Sequence, residues 1–231
     1  MSAEKSDGAQ LAVGYWAIGW VIAQFASLLV ISAAGSGSDA TDIPIPLLGV
    51  ATLASWSVLI VMLVVFSRRV GTDSFLADFQ VSAKVGDALF IPVGVFIQLV
   101  AVPILYAPLR SIWPDTFSDA RIQDNARNLV DRAGGFSTIV LVLMVVIGAP
   151  VVEELVYRGF LQRWLTTRFT RVASWLVVAG LFTAIHLRPV EYPGLALFAL
   201  AVGAAMLVTG RIGAPIALHV GFNAAGLLLA F

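Results

Sequence analysis

The chain contains two histidines, and both lie inside apolar sequence: His186 in LFTAIHLRP and His219 in APIALHVGFNAAG. A third apolar stretch, GAPVVEELVYRGF, carries adjacent carboxylates at Glu153 and Glu154, with Arg158 four residues further on. Ionisable groups at bilayer depth are costly unless they pair or line a hydrated cavity, which makes them functional candidates by default. With the amide of Asn223 added, these residue types suffice for hydrolysis. Carboxylate and imidazole can move protons between water and a leaving group, and N–H donors can hold a developing oxyanion.

The spacing assigns directions. On a helix Glu154 and Arg158 stand at i and i+4 with the acid N-terminal, the favourable order for an ion pair. Glu153 is rotated by about 100° from its neighbour, so one carboxylate can be held by Arg158 while the other faces a cavity. His219 and Asn223 share a helix face at the same spacing. So do Phe182 and His186, which sets a ring against the imidazole. Taken singly, each feature has a structural reading: an intramembrane histidine bonded to a neighbouring backbone, or a Glu–Arg pair joining helical turns. Depth argues for the joint reading. At the helical rise, Glu153 lies about 24 Å along its run from Ser137, His186 about 21 Å from Val172, and His219 about 12 Å beyond Arg211.

Composition sets the frame for these residues. The 231-residue chain is 59% hydrophobic and 12% charged, against about a quarter charged in a soluble domain. The expected fold is an all-α polytopic transmembrane bundle of about seven spans (six to eight), near 11–34, 47–66, 86–106, 137–165, 172–188, 193–209 and 213–231. Pro150 should kink the fourth run, and Pro92 and Pro103 blur the third. The stretch 203–213 reads as a small-residue packing face, and Trp164 and Trp175 as interface anchors. A net charge of zero without a basic patch argues against nucleic acid. The absence of cysteine removes disulfides, thiolate ligands and cysteine nucleophiles from consideration. The first apolar run is long enough to span and is expected to stay attached, unlike a signal peptide.

Loop charges suggest an orientation. Segment 35–46 has no Lys or Arg, whereas Arg68, Arg69 and Lys84 follow the second run, Arg158, Arg163, Arg168 and Arg171 flank the fourth, and Arg211 precedes the last. This alternation predicts a cytoplasmic N-terminus. The exception is 107–136, with four arginines and four aspartates. Within it SDARIQDNARNLVDRAGG predicts a short amphipathic helix capped by Ser118 or Asp119, with Ile122, Ala126, Leu129 and Val130 on one face and Gly134 at its end. A helix lying on the membrane surface is the first reading, and a substrate gate the alternative.

EELVYR at 153–158, FTAIH at 182–186 and HVGFN at 219–223, with RGFLQRWL at 158–165, resemble the EExxxR, FxxxH and HxxxN/D motifs of the CAAX prenyl protease and bacteriocin-processing family (CPBP, or Abi). The resemblance divides the chain into N-terminal membrane helices and an interfacial helix over 1–136 and a CPBP-like catalytic core over 137–231. It implies an intramembrane endopeptidase in which Glu153 and His186 activate water, His219 and Asn223 stabilise the oxyanion, and Glu154, Arg158 and Phe182 support the site. Eukaryotic prenyl proteases commonly have eight spans, one more than counted here. Zinc held by Glu153, His186 and His219 is possible, but without an HExxH motif the resemblance favours a metal-independent glutamate mechanism with no cofactor.

The implied partners are the lipid bilayer and a peptide or membrane-protein substrate, prenylated in the eukaryotic role. The chain's length, compact loops and lack of cysteine suggest a prokaryotic plasma-membrane protein, and the resemblance there implies bacteriocin maturation and self-immunity, or a role as partner of other membrane proteins. The rival is a non-catalytic scaffold, small transporter or immunity protein using the same buried cluster. Repeated halves, which many transporters show, are not evident.

Overall fold

A computed structural model describes residues 3–36 and 43–231, and among these the chain forms helices and turns with no strand. The loop expected at 35–46 falls largely on residues 37–42, outside the described residues, as do residues 1 and 2 of the polar N-terminus. The elements are α1 (Ala3–Ala33), α2 (Ile45–Arg69), α3 (Val85–Ile112), α4 (Asp119–Asp131), α5 (Phe136–Leu165), α6 (Arg171–Ala184), α7 (Tyr192–Thr209) and α8 (Gly213–Ala230). A single helical turn, Phe75–Asp78, lies between α2 and α3.

Apart from α4, these helices are apolar on most faces, so the outer faces stay hydrophobic. Ile18, Phe25, Leu29, Leu53, Val61, Leu89 and Ile104 are all exposed. Surface of that kind requires hydrocarbon rather than water around it. Six helices among the described residues are long and apolar enough to cross a membrane, and α6 is a seventh, shorter apolar helix. The chain is an integral multi-pass membrane protein. The polar segment after Ile112 does form the expected amphipathic helix, α4, whose Ser118 hydroxyl accepts from the Arg121 amide at 3.4 Å.

Two of the long runs change register at their prolines. In α5, residues Leu143–Gly148 and Leu155–Gln162 are π-helical, and in α3 the same holds for Ile97–Ala101. Ala149 donates to the carbonyl of Met144, one residue earlier than an α-helix would arrange it. The next residue, Pro150, has no N–H. The Val145 carbonyl is thereby left without its helical donor. In α3, Val102 donates to Ile97 and Pro103 follows, so the Gln98 carbonyl is treated alike. Pro150 therefore acts through a wide turn ahead of it.

The spans meet through small residues. A Cβ on Gly94 of α3 would fall 1.9 Å from the Leu218 carbonyl oxygen of α8, and one on Gly221 would fall 2.1 Å from that of Ile91. Backbone therefore packs on backbone where these helices cross. Outside the crossing, Arg211 pairs with Asp87 through Nε at 3.0 Å, tying the turn before α8 to the start of α3. The N-terminal helices join the remainder through rings. Phe66 meets Phe160 edge-on at 4.7 Å between centroids, and Trp16 meets Tyr157 at 6.5 Å.

Candidate active site

Adjacent positions on α5 send the two glutamates in different directions. Glu154 is fully buried, and its Oε1 accepts from Arg158 Nη1 at 3.0 Å and from His219 Nδ1 at 2.8 Å. Arg158, equally buried, also donates to the Ala199 carbonyl of α7 at 3.3 Å and lies 4.6 Å over the Phe182 ring. One turn on, Gln162 donates to the Gly203 carbonyl at 3.0 Å. A buried charge needs such a set of partners, because its solvation has been removed. Glu153, by contrast, keeps 30% of its side chain exposed and faces a cavity.

His219 links the two carboxylates. A carboxylate held by Arg158 can only accept, so Nδ1 of His219 must carry the proton directed at Glu154. The other ring nitrogen, Nε2, then stands 4.0 Å from Glu153 Oε2. Phe198 packs edge-on against the imidazole at 4.6 Å between centroids. One turn along α8, Asn223 Nδ2 donates to the Val145 carbonyl at 2.8 Å, the acceptor released by the π-turn and Pro150. That contact leaves the second N–H of the amide uncommitted, and Asn223 lines the same cavity as Glu153.

His186 sits differently from the expectation of a fifth span over 172–188. Helix α6 ends at Ala184, and His186 lies in the turn beyond it. Leu187 takes a left-handed backbone, φ 54°, and Pro189 follows two residues later, so the helix cannot continue. Because the His186 amide turns to Thr183 at 3.3 Å, the Phe182 carbonyl loses its helical donor. The His186 ring supplies it from Nδ1 at 2.7 Å. A carbonyl only accepts, so Nδ1 is the protonated nitrogen and the Nε2 lone pair is left free. The Phe182 ring stacks obliquely on the imidazole at 4.7 Å.

Glu153, His186 and Asn223 line one cavity of about 410 Å³. Ile122, Ala126 and Leu129 of α4 form another wall, so this helix covers the site as well as bordering the membrane. Its edge is clipped by Arg188 to Asp124 at 3.6 Å and by Arg110 to Asp119 at 3.1 Å, all partly exposed pairs. The sequence reading missed four polar lining residues: Gln98, Tyr106, Asn125 and Glu191. Tyr106 donates to the Val190 carbonyl at 2.7 Å and accepts from the Gly194 amide at 3.2 Å, which pins the turn after His186. Only Gln98 carried a sequence signal, as the single amide in the apolar run 88–105. A second groove, about 700 Å³ between α1 and α2, is lined by apolar side chains and small residues and brings no catalytic set together.

The residues named for zinc do not form a ligand set. Among the described residues no three His, Asp or Glu side chains gather in a way that could hold a metal ion. Of the two histidines, only His219 comes within 4.0 Å of Glu153.

The helices and the half-open cavity describe a membrane-embedded protein in which carboxylate, imidazole and amide side chains line one space beneath a helical cover. Residues 135–225, which contain every motif residue from Glu153 to Asn223, match the model of the Rce1-like family, type II CAAX prenyl endopeptidase Rce1-like, in agreement with the CPBP resemblance. The chain matches no curated protein and no solved structure.

Proposed function

We propose that the protein is an intramembrane endopeptidase in which Glu153 is the general base. The observation that carries this reading is one cavity lined by Glu153, His186 and Asn223, with His219 Nε2 4.0 Å from the Glu153 carboxylate. A substrate carbonyl enters beside Glu153, which takes a proton from water as the water oxygen bonds to the carbonyl carbon. The free Nε2 of His186 accepts the second water hydrogen and orients the nucleophile. The C=O electron pair moves onto oxygen, where Asn223 donates its free N–H. His219, when it carries a proton on Nε2 as well as on Nδ1, donates to the same oxygen from Nε2. Collapse breaks the C–N bond, and Glu153 returns its proton to the leaving amine.

The buried Glu154–Arg158–His219 cluster supports a second reading as a scaffold, since its bonds join α5, α7 and α8. Glu153 separates the two, because no hydrogen bond among the described residues ties its side chain to another helix. Purified protein is assayed against prenylated and unmodified membrane peptides, with and without chelator. Glu153→Ala and His186→Ala should each lower turnover by about 100-fold or more while the protein stays folded and inserted. Full activity of either variant would overturn the assignment, and chelator loss restored by zinc would replace the mechanism. Preference for prenylated peptides would specify the substrate. The arginine bias of the loops supports a cytoplasmic N-terminus, which labelling of single introduced cysteines would test.

A further inference from the structure

Gln98 is the one strongly polar side chain between Asp87 and Tyr106, and it sits midway along the Val85–Ile112 span. Its position follows from the backbone crossing at Gly94. One turn beyond that contact, the Gln98 side chain lies against Gly226 of α8, with Nε2 3.3 Å from the place a Cβ would occupy. Gly226 is three residues from Asn223, so the two amides share one wall of the cavity that also holds Glu153 and His186. The Gln98 side chain also borders a smaller pocket of about 150 Å³ running toward Arg110 and Gln123.

No hydrogen bond reaches the Gln98 side chain from any described residue, although it lies within hydrocarbon depth. Its main-chain carbonyl has also lost its helical donors, since Val102 turns to Ile97 and residue 103 is proline. Polar groups left in this state inside a membrane are expensive and mark functional sites, and single π-turns cluster at such sites. The group itself limits the ligand. A carboxamide offers an acceptor and a donor side by side in one plane, which is the complement of the N–H and C=O of an extended main chain.

We infer that Gln98 binds the main chain of the substrate, accepting from a substrate N–H through Oε1 and donating to a substrate C=O through Nε2. This rests on the peptidase reading for its ligand class and extends it to a contact outside the three motifs. Recognition of this kind ignores side chains and requires an extended, unblocked backbone next to the scissile bond.

Two measurements test it. Binding of a fluorescein-labelled apolar peptide is followed by anisotropy in detergent, comparing Glu153→Gln with Glu153→Gln/Gln98→Leu. Hydrolysis of the same peptide is compared between the native protein and Gln98→Leu. Leucine keeps the bulk and removes both polar atoms, so thermal stability should be unchanged or higher while affinity falls about tenfold, the worth of two neutral hydrogen bonds. KM should rise with kcat nearly constant. In a set of singly N-methylated peptides, one should lose clearly less affinity on Gln98→Leu than the others, because its N–H contact to Oε1 is already gone and only the contact to Nε2 remains to be lost. Equal binding of the unmethylated peptide by the two proteins would overturn the proposal, as would no binding at all, or an equal loss for every methylated peptide. Gln98-dependent binding without turnover by the native protein would remove the peptidase mechanism and leave this contact standing.

Discussion

Asn223 of α8 donates to the carbonyl of Val145 on α5 at 2.8 Å, and the acceptor exists because Pro150, five residues on, supplies no N–H to it. A side chain and a helix irregularity 78 positions apart in sequence are thus two halves of one hydrogen bond.

That pairing predicts a non-additive result. Asn223→Leu should lower stability by about 1–2 kcal/mol, because it strands a buried carbonyl. Pro150→Ala restores an N–H that can reach Val145 within the π-turn, so the double variant should regain much of the loss. Thermal unfolding in detergent of the two single variants and the double variant measures the coupling. Strict additivity would show that the two groups act separately.

His186 has two jobs that one substitution separates. Asparagine places an amide N–H where Nδ1 stood and can still cap the Phe182 carbonyl, but it offers nothing in place of Nε2. His186→Asn should therefore unfold at the native temperature and lose at least about 100-fold in turnover. A folded variant with native turnover would reduce His186 to a helix cap.

Arg158 and Glu154 are both fully buried, so removing one strands the other. Arg158→Met should cost about 3–5 kcal/mol, and adding Glu154→Leu should return part of it. Chemical denaturation in micelles reads both. A double variant less stable than Arg158→Met alone would show that the stranded Glu154 charge is not what destabilises the single variant.

The α3–α8 crossing predicts a contrast between two glycines. Gly94→Ala drives a methyl into the Leu218 backbone and should prevent accumulation of folded protein in the membrane. Gly226→Ala meets only the flexible end of Gln98, at 3.3 Å, and should fold. Size-exclusion profiles after detergent extraction distinguish the two, and a monodisperse Gly94→Ala would contradict the packing.

Helix α4 covers the cavity but is held at its edge by partly exposed ion pairs, which contribute little each. The chain has no cysteine of its own, so Asp124→Cys with Arg188→Cys gives a clean pair for a short thiol cross-linker. Cross-linking should slow peptide turnover, with recovery when a cleavable linker is cut. Unchanged turnover in the fully linked protein would make α4 a fixed wall.

Local chemistry is readable from the residues, and long-range chemistry much less so. The i, i+4 relations of Glu154 with Arg158 and of Phe182 with His186 are properties of one helical turn, and the structure shows both contacts. The caps and face of α4 are likewise local. The partners of His219 and Asn223 are not readable, because Glu154 and the Val145 carbonyl are supplied by another span. The apolar neighbours of His186 point to a helix, while the left-handed Leu187 that ends α6 is set by the turn leading to Pro189. Gln98 gives a signal as a lone amide in an apolar run, but its role needs Gly226 to bring it beside Asn223.

The shortness of α6 bears on how water arrives. Fourteen residues reach about 21 Å, some 9 Å less than the hydrocarbon slab. The turn carrying His186, together with Arg188 and Glu191, therefore sits where a full-length span would still be in oil. Lipid around that edge must thin, or headgroups must dip inward, to meet these charged side chains. On the peptidase reading, the water that Glu153 activates would enter the cavity from that side.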